Sequence, residues 1–376
     1  MIKNFKLHIQ GTDFISFIKE YLIVAFLLAT IWSRILSHSD LSLLIANSLL
    51  AIAGIVGIIS MLFQGRKQLF IYIVFLLICW LFELLINEGK QYYDFTDLIN
   101  TVFFFGIAYL FFTGSRNYKI YGLLYYFVSL YFFITVAVLK TSYRGLLADG
   151  NSYNYISCYV ILYFSIYAFA LLSNGKKIGY IDSVLLVVVC LYCYGRTGII
   201  SSLLYALGFA FIKIYEKRMK WFTYFLIGGA IILLFVFSNR LVTAVLGSAN
   251  FGKFAIYGLD LNGRQEIWGA FMRDTMKNII TFFAGANPLE RSAEGNLHNS
   301  FLLMWASFGF LFFIVNLIVI IKYTASKIKS KEYYLLLVVW TFFFRAFFDK
   351  MMFRWYGEII MFTLVFATIM VERNKP

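Results

Sequence analysis

An all-α polytopic membrane protein is the fold class this sequence predicts. Three observations carry that reading: the density of apolar residues, the length of the runs they form, and the side of those runs on which lysine and arginine accumulate. Of 376 residues 61% are hydrophobic and 20% aromatic, only 14% are charged, and the mean hydropathy is +0.79. That lies well outside the range of a soluble domain. A spanning helix needs about 20 mostly apolar residues, and lipid offers no partner to an open backbone N–H or C=O, so a helical bundle is the architecture this composition allows.

Apolar runs fall at about 21–37, 41–63, 69–86, 98–113, 118–139, 153–173, 180–194, 197–215, 221–238, 299–321, 333–347 and 354–371, which gives about 12 transmembrane helices. Residues 1–20 read as a basic cytoplasmic tail able to lie on the membrane surface, 21–238 as spans one to nine, 239–298 as one large outer loop, 299–371 as the last three spans, and 372–376 as a second cytoplasmic tail. About twenty residues of mixed polarity precede the first run, so that run itself is expected to act as the insertion signal.

The chain holds 33 Lys+Arg against 19 Asp+Glu. Such an excess can mark a nucleic-acid binder, but its placement argues otherwise: with both termini cytoplasmic, the inner segments net about +13 and the outer ones about +1. The positive-inside rule accounts for this, and no nucleic-acid partner is expected. Runs 180–194 and 197–215 are separated by Tyr194-Gly195-Arg196-Thr197-Gly198 and are read as two helices, because one long helix would invert every later loop. Cys79, Cys158, Cys190 and Cys193 all lie within apolar runs and read as small buried hydrophobes, not as a disulfide framework or a metal site.

Candidate chemistry concentrates in the outer segments, which carry Arg144, Arg196, Arg240, Arg264, Arg273, Arg291, Arg345 and Arg354. Taken singly, each reads first as a snorkelling or ion-paired side chain, and Arg345 with Asp349 and Arg354 with Glu358 have the i,i+4 spacing for that. Arg196 stands in a tight glycine-flanked break with no acid near it in sequence; a guanidinium there offers bidentate donors suited to phosphate oxygens. Arg264 follows Asn262-Gly263, a candidate N-cap, and precedes Ile267, Trp268, Phe271, Met272 and Thr275 at three-to-four spacing. That pattern predicts an amphipathic interfacial helix whose N-terminus adds N–H donors beside the arginine. His298, one of three histidines, opens the tenth span next to Asn299, where a helix N-terminus and nearby arginines favour a neutral imidazole able to take a proton. No two-carboxylate arrangement and no D-x-D metal site is evident, and no cofactor is expected.

These residues resemble a family. Asn262-Gly263-Arg264-x-x-Ile267-Trp268 is similar to the G-R-x-x-x-W segment, and His298-Asn299-Ser300-Phe301-Leu302 followed by Gly309 to the H-N-x-x-L segment, of the bacterial O-antigen and capsule polysaccharide polymerases (Wzy type), grouped with the O-antigen ligases. Tyr143-Arg144-Gly145 with Asn151 and Asn154 is similar to the family's arginine-bearing earlier outer loop, and Gly195-Arg196-Thr197 stands where the family usually has a Ser-Arg pair.

The resemblance implies a GT-C-like bundle in the bacterial inner membrane and a metal-independent glycosyltransferase working on the outer leaflet. The donor would be a glycan on undecaprenyl pyrophosphate and the acceptor a lipid-linked repeat unit, with membrane lipids and a chain-length regulator as partners. Arg196 and Arg264 would hold the pyrophosphate and His298 would orient or deprotonate the acceptor hydroxyl, while Arg144, Arg291, Asn299 and Tyr194 would bind substrate. Two alternatives remain open: a ligase delivering the glycan to lipid A core, and a lipid-linked oligosaccharide flippase or other transporter. The asymmetric outer loop and the lack of repeat symmetry argue against the latter.

Overall fold

The computed structural model describes residues 13–37, 39–86, 95–114, 116–139, 147, 154–192, 195–216, 264–286, 297–353 and 356–372. Among these, every regular element is a helix: α1 (Asp13–Ile31, continued by a π-helical turn Trp32–Leu36), α2 (Asp40–Phe63), α3 (Lys67–Ile86), α4 (Phe95–Thr113), α5 (Tyr118–Phe133, continued by a π-helical turn Ile134–Val138), α6 (Asn154–Ser173), α7 (Tyr180–Tyr192), α8 (Arg196–Tyr215), α9 (Arg264–Thr275), α10 (Ile279–Ala284), α11 (Ser300–Lys329), α12 (Tyr333–Phe347) and α13 (Glu358–Glu372). Seven of them are long and apolar enough to cross a membrane, and α7, α12 and most of α13 are shorter apolar helices. The protein is thus a membrane-embedded helical chain. The expected run at 221–238 lies outside the described residues.

Helix α1 begins at Asp13, eight residues before the expected first apolar run. Glu20 is buried there and its carboxylate accepts the backbone N–H of Asn117, which ties the start of α1 to the turn before α5.

The chain divides into two compact units, residues 1–120, 263–330 and 346–376 in the first and 121–262 with 331–345 in the second. In the first, α2 and α4 cross without intervening side chains: a Cβ on Gly57 would lie 2.0 Å from the carbonyl oxygen of Gly106. Small residues let backbones approach in this way where lipid supplies no hydrophobic drive between helices. The inner face of α4 then packs on α13 through edge-on aromatics, Phe105 against Phe366 at 4.7 Å and Phe362 at 5.2 Å. α3 packs on α11, where the Tyr72 hydroxyl donates to the Asn316 side-chain oxygen at 2.7 Å inside the apolar layer. In lipid-like surroundings each polar group needs such a partner.

In the second unit α6 is enclosed almost throughout and is flanked by α7 and α8. Asp182 holds the opening of α7: its carboxylate accepts the Gly179 N–H at 2.7 Å and the hydroxyls of Tyr126 and Tyr167, while its carbonyl accepts the Tyr125 hydroxyl at 2.8 Å. Cys79, Cys158 and Cys190 are buried free thiols; Cys193 lies outside the described residues.

Candidate functional site

In the first unit the two motifs meet. α9 begins at Arg264 and turns Ile267, Trp268, Phe271 and Met272 inward, and its apolar side packs on the first turns of α11 instead of lying free: Phe271, Leu297, Leu303, Trp305 and Ala306 form one buried cluster. The Trp268 indole N–H donates to the carbonyl of Leu297 at 2.6 Å, which fixes the residue before His298. The two halves of the predicted loop are therefore joined by an apolar seam and one hydrogen bond. Asn262 and Gly263, the candidate cap, lie outside the described residues.

His298 then takes φ 47°, in the left-handed region that side-chain-bearing residues rarely adopt. Such strain is held only by a well-determined surround, and the next two residues supply it. Asn299 is the N-cap of α11, its side-chain oxygen accepting the N–H groups of Phe301 at 2.9 Å and Leu302 at 3.1 Å. The Ser300 hydroxyl donates to the carbonyl of Asp349 at 2.8 Å and accepts the N–H groups of Met351 at 2.8 Å and Met352 at 3.1 Å. Ser300 thus stitches the start of α11 to the segment that follows α12.

That stitch delivers Asp349. Its carboxylate, with a side chain only 2% exposed, lies 3.7 Å from His298 Nδ1 and 3.9 Å from a terminal nitrogen of Arg264. Both distances are longer than hydrogen bonds, and the contact to Arg264 is an ion pair. The Oδ1 atom also accepts the N–H of Lys350 at 3.0 Å, which orients the group. α12 ends at Phe347, so Asp349 stands beyond the helix. Arg345, fully buried, donates from Nε to the Ser157 hydroxyl at 3.1 Å in the second unit.

Arg196 also belongs to the second unit. Gly195 is extended at φ −90° and ψ 109°, no side chain caps the helix it precedes, and Arg196 is the first residue of α8. The break predicted between α7 and α8 is present. Gly198 meets a close approach: a Cβ there would lie 2.5 Å from the Ser157 side chain, so the helix start that bears Arg196 is seated against α6.

Of the residues singled out from sequence, Arg264, His298 and Asn299 come together. Tyr194, Arg144, Arg291 and Arg354 lie outside the described residues. Ser300, which in sequence is only part of a motif, and Asp349, which is only an ion-pair partner, both organise the site. A lone acid and a serine at the two ends of a long sequence separation carry no spacing signal that could have joined them. No group of three or more metal-ligating side chains is found among the described residues. No family model, no curated protein and no solved structure matches this chain.

Proposed function

We propose that this chain is a polysaccharide polymerase of the O-antigen or capsule type: a GT-C-like bundle of about 12 spans in the bacterial inner membrane, both termini cytoplasmic, passing a growing glycan from undecaprenyl pyrophosphate to a lipid-linked repeat unit at the outer leaflet. The observation that carries this reading is the convergence of Arg264 and His298 on the buried carboxylate of Asp349. It joins a cation suited to phosphate, a base suited to a hydroxyl, and the group that holds both.

In the reaction an acceptor hydroxyl oxygen bonds to the anomeric carbon, the bond from that carbon to the pyrophosphate oxygen breaks, and the electron pair leaves with the pyrophosphate. Arg264 offers five N–H donors in a fixed fork, enough to face Asp349 along one edge and a phosphate along another. Its charge acts where negative charge grows as the leaving group departs. Arg196, at the start of α8 in the second unit, carries the same kind of guanidinium, suited to phosphate oxygens. With Nδ1 turned to Asp349, Nε2 of His298 is the nitrogen that takes the hydroxyl proton. Asn299, the N-cap of α11, would bind substrate together with Arg144, Arg291 and Tyr194. The implied chain-length regulator would bind the same protein from outside this site.

The test compares surface polysaccharide on a gel in a strain lacking the gene. Loss of long chains with a single capped repeat retained supports the polymerase. Loss of every repeat from the core indicates the ligase reading, and build-up of the lipid-linked unit on the cytoplasmic side indicates a flippase.

A further inference from the structure

The segment after α9 takes an unexpected position. The chain leaves α9 at Thr275, passes Met276–Asn278, forms the six residues of α10 and returns through Gly285 and Ala286. Buried Thr275 closes the neck: its hydroxyl accepts the Ala286 N–H at 3.2 Å and its carbonyl accepts the Thr281 hydroxyl at 3.0 Å. This is a closed excursion with its ends tied together.

Its depth follows from what it touches. The Phe282 carbonyl accepts the Trp305 indole N–H at 2.9 Å. A Cβ on Gly285, at φ 87°, would lie 2.7 Å from the Trp305 carbonyl oxygen, and one on Gly309, at φ 78°, 2.5 Å from the Phe283 carbonyl oxygen. Gly309 is the single non-helical residue within α11, so the kink in that helix lies where α10 presses on it. At about 1.5 Å per residue, Trp305 and Gly309 lie roughly 7 and 13 Å along α11 from Ser300. The apolar part of α11 runs from Phe301 to Ile321, about the length that fills a hydrocarbon layer of roughly 30 Å, and places this contact within it. α10 also packs on α3, a second helix long and apolar enough to cross a membrane.

The opposite side of the excursion is uncovered and apolar. Ile279 is 73% exposed, Met276 60% and Ile280 54%, and Phe283 is exposed as well. The helices it rests on expose Ile78, Leu81, Phe82 and Leu85 on α3 and Leu311 on α11. A segment packed on two membrane-crossing helices at this depth shares the solvent of their outward faces, and that solvent is hydrocarbon. Lys277, paired with Asp274 at 2.7 Å, and Asn278, whose side chain caps α10, mark the polar edge.

We propose that Met276–Ala284 is a re-entrant segment set into the membrane leaflet on the side where α11 begins, with Ile279, Ile280 and Phe283 against lipid acyl or isoprenoid chains. It anchors α9, and with it Arg264, to the bilayer at the depth of the outer end of α11. The transferase reading is not needed for it.

The experiment places one nitroxide at a time in the full-length protein, its native cysteines replaced, through Ile280→Cys, Lys277→Cys or Leu311→Cys, after reconstitution into phosphatidylcholine/phosphatidylglycerol vesicles. Collision rates with oxygen and with a water-soluble nickel chelate are read by electron paramagnetic resonance. The ratio of oxygen to nickel collisions at Ile280 is expected to match Leu311 and to exceed Lys277 several-fold. A ratio at Ile280 equal to that at Lys277, with Leu311 lipid-exposed, overturns the proposal; a water-exposed Leu311 overturns it too, by removing the depth scale.

Discussion

His298 Nδ1 lies 3.7 Å from Oδ1 of Asp349, and the same buried carboxylate faces Arg264 at 3.9 Å through its other oxygen. One acid therefore lies against both Arg264 and His298. Removing it should cost order in the site as well as charge.

Asp349→Ala removes a buried carboxylate that faces the partly exposed Arg264 at 3.9 Å, so its cost should stay below the about 3–5 kcal/mol of breaking a fully buried pair. Thermal unfolding followed with a thiol-reactive dye, which reports on the buried Cys79, Cys158 and Cys190 as they become accessible, should show a lowered midpoint. The double variant Arg264→Ala/Asp349→Ala should lose less than the sum of the single losses, as coupled residues do. Additive losses would show that the contact carries no energy.

Arg264→Ala should reduce chain extension by about 10²–10³-fold, the range for loss of one charge-stabilising group, with membrane insertion unchanged. Arg264→Lys keeps the charge and loses the fork geometry, and should rescue only a part. Chain lengths equal to wild type in Arg264→Ala would remove this residue from the site.

Ser300→Ala deletes a hydroxyl that one carbonyl and two N–H groups share in a buried place. Its loss should destabilise by about 1–3 kcal/mol, the cost of leaving buried partners unsatisfied. Asp349 would then be less well held, so activity should fall further than the unfolding midpoint alone accounts for.

At the far end of α8, Glu216 accepts from Lys177 Nζ at 2.7 Å and from the Tyr334 hydroxyl at 3.1 Å. Partial burial pushes this carboxyl up, but the hydrogen bonds from Lys177 and Tyr334 and the charges of Lys177 and Lys213 outweigh it, and its pKa falls below the ordinary 4.5. A depressed carboxyl stabilises the fold above its unfolded pKa and loses that contribution as pH drops through the folded one. The gap in unfolding midpoint between wild type and Glu216→Gln should hold above pH 4.5 and close below it. A gap that widens on acidification would reverse the sign and refute the assignment.

Much of the fold was legible because spanning helices announce themselves by uninterrupted apolar length. Each expected run within the described residues coincides with a helix, and the break at Gly195-Arg196 follows from the charge placement that one long helix would invert. The helix beginning at Arg264 was also legible, since Ile267, Trp268, Phe271 and Met272 keep helical spacing. Its burial partner was not, because an apolar stripe reads alike whether it faces lipid or protein. α10 escaped notice for a different reason: six residues are too few to show a period. The place of Asp349 beside His298 and Arg264 was not legible, because nothing local signals that α12 stops at Phe347 or joins residues so far apart in sequence.

The central claim is most directly tested with purified protein in vesicles supplied with a lipid-linked repeat unit, measuring polymer length and released undecaprenyl pyrophosphate together. The polymerase account predicts one pyrophosphate lipid released for each linkage formed, with both signals abolished by Arg264→Ala and strongly reduced by His298→Ala. Undiminished release from the His298→Ala protein, or movement of the lipid-linked unit across the bilayer with no linkage formed, would contradict it.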